Sequence, residues 1–208
     1  MNLSSKLSVA ALGMAALISS ANGAITGVTG ATTWLGSPPA TCLPGALNGF
    51  NAYAWDEQQG ITLATLAVDE INNPGGSASP TAGLLGGTFD SHFIHFDGIP
   101  GVINAQGTVT FATQIVGVIF VNTSLDNTDF TCGAFGTSYP TTWVARGINT
   151  VLPSGFTVSG NTITFSLSAI ASLGEVAQIR VITTAVPAPG AMAVLGLGGL
   201  AMARRRRS

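Results

Sequence analysis

The fold this sequence predicts is an all-β, jelly-roll-like sandwich, flanked by an N-terminal signal helix and a C-terminal hydrophobic helix. Two observations carry it. Short runs rich in Val, Ile, Thr and Phe recur through residues 24–185, and these residue types suit a pleated, half-buried surface. Glycines and prolines, 27 and 10 of them, break the chain often enough to end each run within about ten residues. No segment recurs at a fixed period, which argues against a solenoid. Many short strands with frequent turns favour two packed sheets.

The elements follow in chain order. Residues 24–48 hold Pro38, Pro39 and Pro44 and read as loop with one edge strand. Asn51 to Glu57 and Ile61 to Ile71 flank Gln58-Gln59-Gly60 and are expected to pair as a hairpin. The second run also fits a helical period through Leu63, Leu66 and Ala67, and period alone does not separate the two. Asn72 to Gly87 is a Gly/Ser/Pro loop. Phe89 to Phe96, Gly107 to Phe111 and Gln114 to Val121 are strands. Ser124 to Phe130 and Ser168 to Leu173 suit single helical turns. Phe156 to Val158 and Thr162 to Leu167 bracket Ser159-Gly160-Asn161, the clearest hairpin signal in the chain, and Gln178 to Thr184 is the last strand.

Both ends carry targeting patterns. Lys6 precedes a 12-residue apolar stretch, Leu7 to Ile18, and a short small-residue segment ending Ala21-Asn22-Gly23. That order predicts a signal peptide over residues 1–23, passed by the secretion translocase and removed by signal peptidase after Gly23. At the other end Val186-Pro187-Ala188-Pro189-Gly190 leads into an apolar run that stops at Arg204, Arg205, Arg206 and Arg207. Residues 190–203 span roughly 21 Å as a helix, short of the ~30 Å of a bilayer core. Spanning therefore needs a thinned membrane or help from the prolines. The four arginines stay on the cytoplasmic side, and the proline segment is left outside with an extended, accessible backbone.

This tail, residues 186–208, resembles the PEP-CTERM sorting signal of exported bacterial proteins. Val186, Pro187, Pro189, the apolar run and Arg204 to Arg207 match that pattern, and Ala188 stands where the usual glutamate would be. The resemblance implies recognition by an exosortase, a membrane-embedded cysteine transpeptidase. It also implies a transient membrane anchor, a final place at the cell surface or outside it, and a link to exopolysaccharide. Similar tails occur on some proteins labelled ice-binding. A plain single-span anchor is the alternative reading.

Between the signals lies one domain, residues 24–185, long enough for a sizeable core. It keeps Arg146 and Arg180 against nine acids and no lysine, a balance of −7. Such a surface repels phosphate backbones, so nucleic acid is not an expected partner. Cys42 and Cys132, an even pair in an oxidising compartment, are expected to form a disulfide stabilising by ~4–5 kcal/mol on the chain-entropy model.

Chemistry-bearing motifs are sparse. His92 and His95 on one strand point to opposite faces and make no metal pair. Asp126 and Asp129 are weak calcium candidates in Asp126-Asn127-Thr128-Asp129, without the spacing of an EF-hand. Asp56-Glu57 and Asp69-Glu70, on the two arms of the expected hairpin, are the carboxylate pairs a glycosidase would need. Tyr53, Trp55 and Trp143 are candidates for stacking on sugars, with core packing as the competing role. Thr108-Val109-Thr110 and Thr162-Ile163-Thr164 are the pairs that bear on ice binding. The expectation is a non-enzymatic, cofactor-free surface or matrix protein of structural or adhesive type. A carbohydrate-binding module on exopolysaccharide comes second, and ice binding or glycoside hydrolysis stand behind it.

Overall fold

In the computed structural model, residues 25–101, 104–148 and 154–185 are described. The expected signal peptide and sorting tail, with the expected transmembrane segment 190–203, lie outside them. The described chain is predominantly β, with two sheets, one α-helix and one 3-10 turn, Ala171–Leu173. The first sheet orders β1 (Ile25–Gly30), β7 (Asn104–Phe111), β10 (Thr162–Ser168), β9 (Gly155–Ser159) and β5 (Gly75–Gly76), all antiparallel. The second orders β2 (Thr32–Trp34), β3 (Ala52–Asp56), β6 (Gly83–Phe96), β11 (Ala177–Thr184) and β8 (Ile115–Ile119), and β4 (Ile61–Val68) also pairs with β6. Alternating side chains of both sheets meet in one core: Val109, Ile163 and Phe165 from the first, Ala54, Ile94, Ile179 and Val181 from the second. A second apolar cluster covers the far face of the second sheet, where Trp55, Phe93 and Ile182 pack beneath Leu125 of α1 (Asn122–Cys132).

Several expectations are corrected. Residues 24–48 hold two strands, because Gly30 lets the chain leave one sheet and enter the other. Its φ is +71°, and a Cβ there would stand 2.6 Å from the Gln106 carbonyl oxygen. β3 and β4 do not form a hairpin. They run end to end along one edge of β6, with Asp56 opposite His92 and Ile61 opposite Phe89. Gln58, Gln59 and Gly60 are a break in that edge, pinned by the Gly60 N–H on Asp90 Oδ1 at 2.7 Å. The expected loop through Gly87 is strand from Gly83, since β4 supplies the partner that local propensity does not. The β9–β10 hairpin stands where expected, with Gly160 at φ +62°.

Helix α1 runs eleven residues rather than one turn. Its sequence is poor in strong helix formers, so tertiary contacts hold it. Leu125, Thr128 and Cys132 face inward at helical spacing. Asp69, just past β4, accepts from the Phe120 and Val121 N–H groups, both at 2.8 Å, and from Ser124 Oγ at 2.7 Å. A carboxylate there satisfies free donors and complements the helix dipole.

Candidate functional site

The alternation of β11 places Arg180 and Gln178 on the face beneath α1, away from the inter-sheet core. Arg180 is wholly buried, and all five of its N–H donors are used. Nε and Nη2 bind Glu57 at 2.7 and 3.0 Å, a bidentate pair. Nη1 donates to Thr128 Oγ1 at 2.6 Å and the Leu125 carbonyl at 3.3 Å, and Nη2 also reaches Asp129 at 3.0 Å. The guanidinium lies 5.0 Å from the Phe93 ring centre and 5.4 Å from that of Tyr139. Burial by itself lowers the Arg180 pKa, but the Glu57 charge and hydrogen bonds hold it above its ordinary value. Tyr139 donates to Glu57 at 2.5 Å and accepts from the Ala134 N–H, and burial followed by the Glu57 charge raises its phenol.

Arg146 is the second buried cation. It binds Asp126 at 2.6 Å, Asp129 at 2.7 and 3.2 Å, and the Gln178 carbonyl oxygen at 2.9 Å. Asp126 and Asp129, the calcium candidates, are thus counter-ions of arginine. Among the described residues no group of three His, Cys, Asp or Glu could hold a metal ion.

Every carboxylate of the domain accepts a hydrogen bond. Beyond those above, Asp56 takes His92 and the Ile25 N–H, Glu70 takes the Asn72 and Thr81 N–H groups, Asp97 takes Gly45, and Glu175 takes Ile170. Burial raises Asp97 against the opposing pull of the Gly45 N–H. Of the two acidic pairs weighed for a glycosidase, Glu57 is bound to the buried Arg180 and Asp69 holds the start of α1. His92 and His95 do face opposite ways: the first stacks on Phe111 in the inter-sheet core, the second bonds Gln178 beneath the outer layer.

Of the sugar-stacking candidates, Trp55 is wholly buried, packed 5.1 Å from the Phe93 ring centre, and cannot meet a ligand. Tyr53 is half-buried against the same cluster. Trp143 is 41 % exposed and donates its Nε1–H to the Gly174 carbonyl. The most exposed aromatics are ones the sequence did not single out. Phe130 (95 %) and Phe135 (89 %) line a cleft of about 330 Å³ with Gly136, Thr137 and Tyr139. Cys42 and Cys132 are unbonded and buried, in place of the expected disulfide. They belong to one cluster, and the Cys42 thiol is directed to the Ser138 carbonyl oxygen at 3.6 Å.

The first sheet is the opposite of this ionic layer. None of its five strands contains a charged residue. Register aligns Thr29, Thr108, Thr164 and Thr157 in one row across four strands, with Thr110, Thr162 and Ser159 beside it. The hydroxyls of Thr29 and Thr108 pair at 2.6 Å, and those of Thr110 and Thr162 at 3.2 Å. The two Thr pairs noted in the sequence are therefore neighbours on one outer face.

Comparison with protein-family models, curated proteins and solved structures returned no match.

Proposed function

We propose that this chain is an exported surface or extracellular-matrix protein of structural or adhesive type, with a jelly-roll-like sandwich as its contact module. The signal over residues 1–23 and the PEP-CTERM-like tail supply export, a transient anchor, and cleavage by an exosortase. The observation that carries the adhesive reading is the division of the domain. Its acids and arginines are spent on holding loops and α1 in place, while the first sheet offers an uncharged, threonine-lined outer face. Such a face meets another neutral surface without stripping the hydration of ions.

The test uses cells producing the full chain, with Thr29→Lys and Thr164→Lys placed on that face. We expect surface display to persist while adhesion to cells or matrix falls severalfold. Unchanged adhesion removes the face from the proposal. C-terminal peptide mass spectrometry on the surface fraction should find no Arg204–Arg207, and an intact Arg207-Ser208 end there removes the exosortase. The cleft between Phe130 and Phe135 favours a second reading, a carbohydrate-binding module. Phe130→Ala with Phe135→Ala would then abolish glycan-array binding.

A further inference from the structure

The Gln178 carboxamide is wholly buried and surrounded by three groups suited to acyl transfer. Its oxygen accepts from Arg146 Nε at 2.9 Å. Its nitrogen donates to His95 Nδ1 at 3.0 Å, and the same nitrogen stands 3.4 Å from the Cys42 carbonyl oxygen and 3.9 Å from Cys42 Sγ. Because the amide nitrogen is a donor, His95 Nδ1 is the unprotonated ring nitrogen and the proton sits on Nε2. Burial, and then the Arg146 charge, lower the His95 pKa to about 3, so the ring is neutral at physiological pH. Nε2 is buried with no partner. A buried polar atom left unsatisfied is costly and calls for an explanation, reactive chemistry being one.

We propose that Cys42 Sγ and Gln178 Cδ join as an internal thioester with loss of ammonia. Sγ attacks Cδ, and the thiol proton passes directly to the departing amide nitrogen, which stands beside Sγ. His95 stays neutral and orients the carboxamide through Nδ1. The C–N bond breaks, ammonia leaves, and the carbonyl re-forms on sulfur. One thiol and one carboxamide give one thioester and one ammonia, with no oxidant or reductant. The Arg146 N–H faces the oxygen where negative charge develops, as an oxyanion donor does. Sγ stands 3.9 Å from the nitrogen bonded to the target carbon, on the N–H side of the carboxamide. Attack therefore requires a rotation of the Cys42 side chain toward the carbonyl carbon, to bring the reacting atoms within ~3–3.5 Å. Burial pushes the Cys42 thiol up to about 12, so the proton leaves during the attack rather than before it. The same burial keeps water from the acyl group once formed. The bond would staple the segment carrying Cys42 to β11, independently of what the domain adheres to.

The experiment is peptide mapping of the exported full-chain product, unfolded in mild acid without reductant. We expect a cross-linked pair of peptides carrying Cys42 and Gln178, lighter by one ammonia than their sum. Alkylatable thiols should fall from the two encoded to one, Cys132. Methylamine should release the Cys42 thiol and leave an N-methylated Gln178. A Cys132→Ser variant should keep the cross-link. An unmodified Gln178 peptide with an alkylatable Cys42 overturns the proposal, and so does a Cys42–Cys132 disulfide.

Discussion

Arg180→Met removes the charge at the centre of the layer beneath α1 while keeping much of the side-chain volume. The loss is not one hydrogen bond but the sole arginine partner of Glu57, whose side chain is as fully buried as that of Arg180. Tyr139 and Ser91 still donate to the Glu57 oxygens, at 2.5 and 2.7 Å, but neither is a cation. Asp129 retains Arg146, so the penalty falls mainly on Glu57. Breaking a buried pair by removing one partner costs about 3–5 kcal/mol, most of it the uncompensated charge. For a domain of this size that is a fall in Tm of about 6–20 °C. The assay is urea and thermal unfolding of Arg180→Met, Glu57→Gln and the double variant. The double variant should be less destabilised than the sum of the singles by ~2 kcal/mol or more. A single-variant loss below ~1 kcal/mol, or strict additivity, would refute the view that this pair is a coupled, desolvated unit.

Two further outcomes are expected. His95 is held neutral with its pKa lowered to about 3, so between about 3 and 6.5 the unfolded chain binds a proton that the native one does not. Stability must therefore fall as pH drops through that window, by up to ~1.4 kcal/mol per pH unit. His95→Asn should flatten the slope in pH-dependent urea titrations, and an unchanged slope assigns the acid sensitivity elsewhere. Gly30→Ala should destabilise by roughly 1–3 kcal/mol, because φ +71° disfavours a side chain and the added Cβ meets the Gln106 oxygen. A neutral effect in denaturant unfolding would show that this crossing does not need glycine.

Strands whose own residues declare them were legible in the sequence. Phe89 to Phe96, the Ser159-Gly160-Asn161 hairpin and the last strand carry β-branched or aromatic alternation bounded by turn residues, and these signals are local. The misread segments depend on a distant partner. Gly83 to Gly87 has no strand propensity and is extended because β4 lies beside it. Helix α1 exceeds one turn because Asp69 anchors its start and two arginines hold its acids. Of the candidate site, one signal was visible and passed over: Arg180 stands alone as a charge in Ala177–Thr184, an otherwise apolar and neutral strand. A lone arginine there must find carboxylates or remain an uncompensated buried charge.

By itself the sequence determined the predominantly β class, the −7 balance of residues 24–185, the opposite facing of His92 and His95, and the neutrality of the first sheet's strands. Those follow from residue type and from a side-chain period of two, which the backbone imposes wherever a strand forms. Only the tertiary structure decided which strands are neighbours. That choice aligns Thr29, Thr108, Thr164 and Thr157 in one row, buries Trp55, turns Asp126 and Asp129 into counter-ions, and brings Cys42 to Gln178 across 136 residues of chain. Burial and pairing are set by which distant segments exclude water from one another, and no local window of residues carries that information.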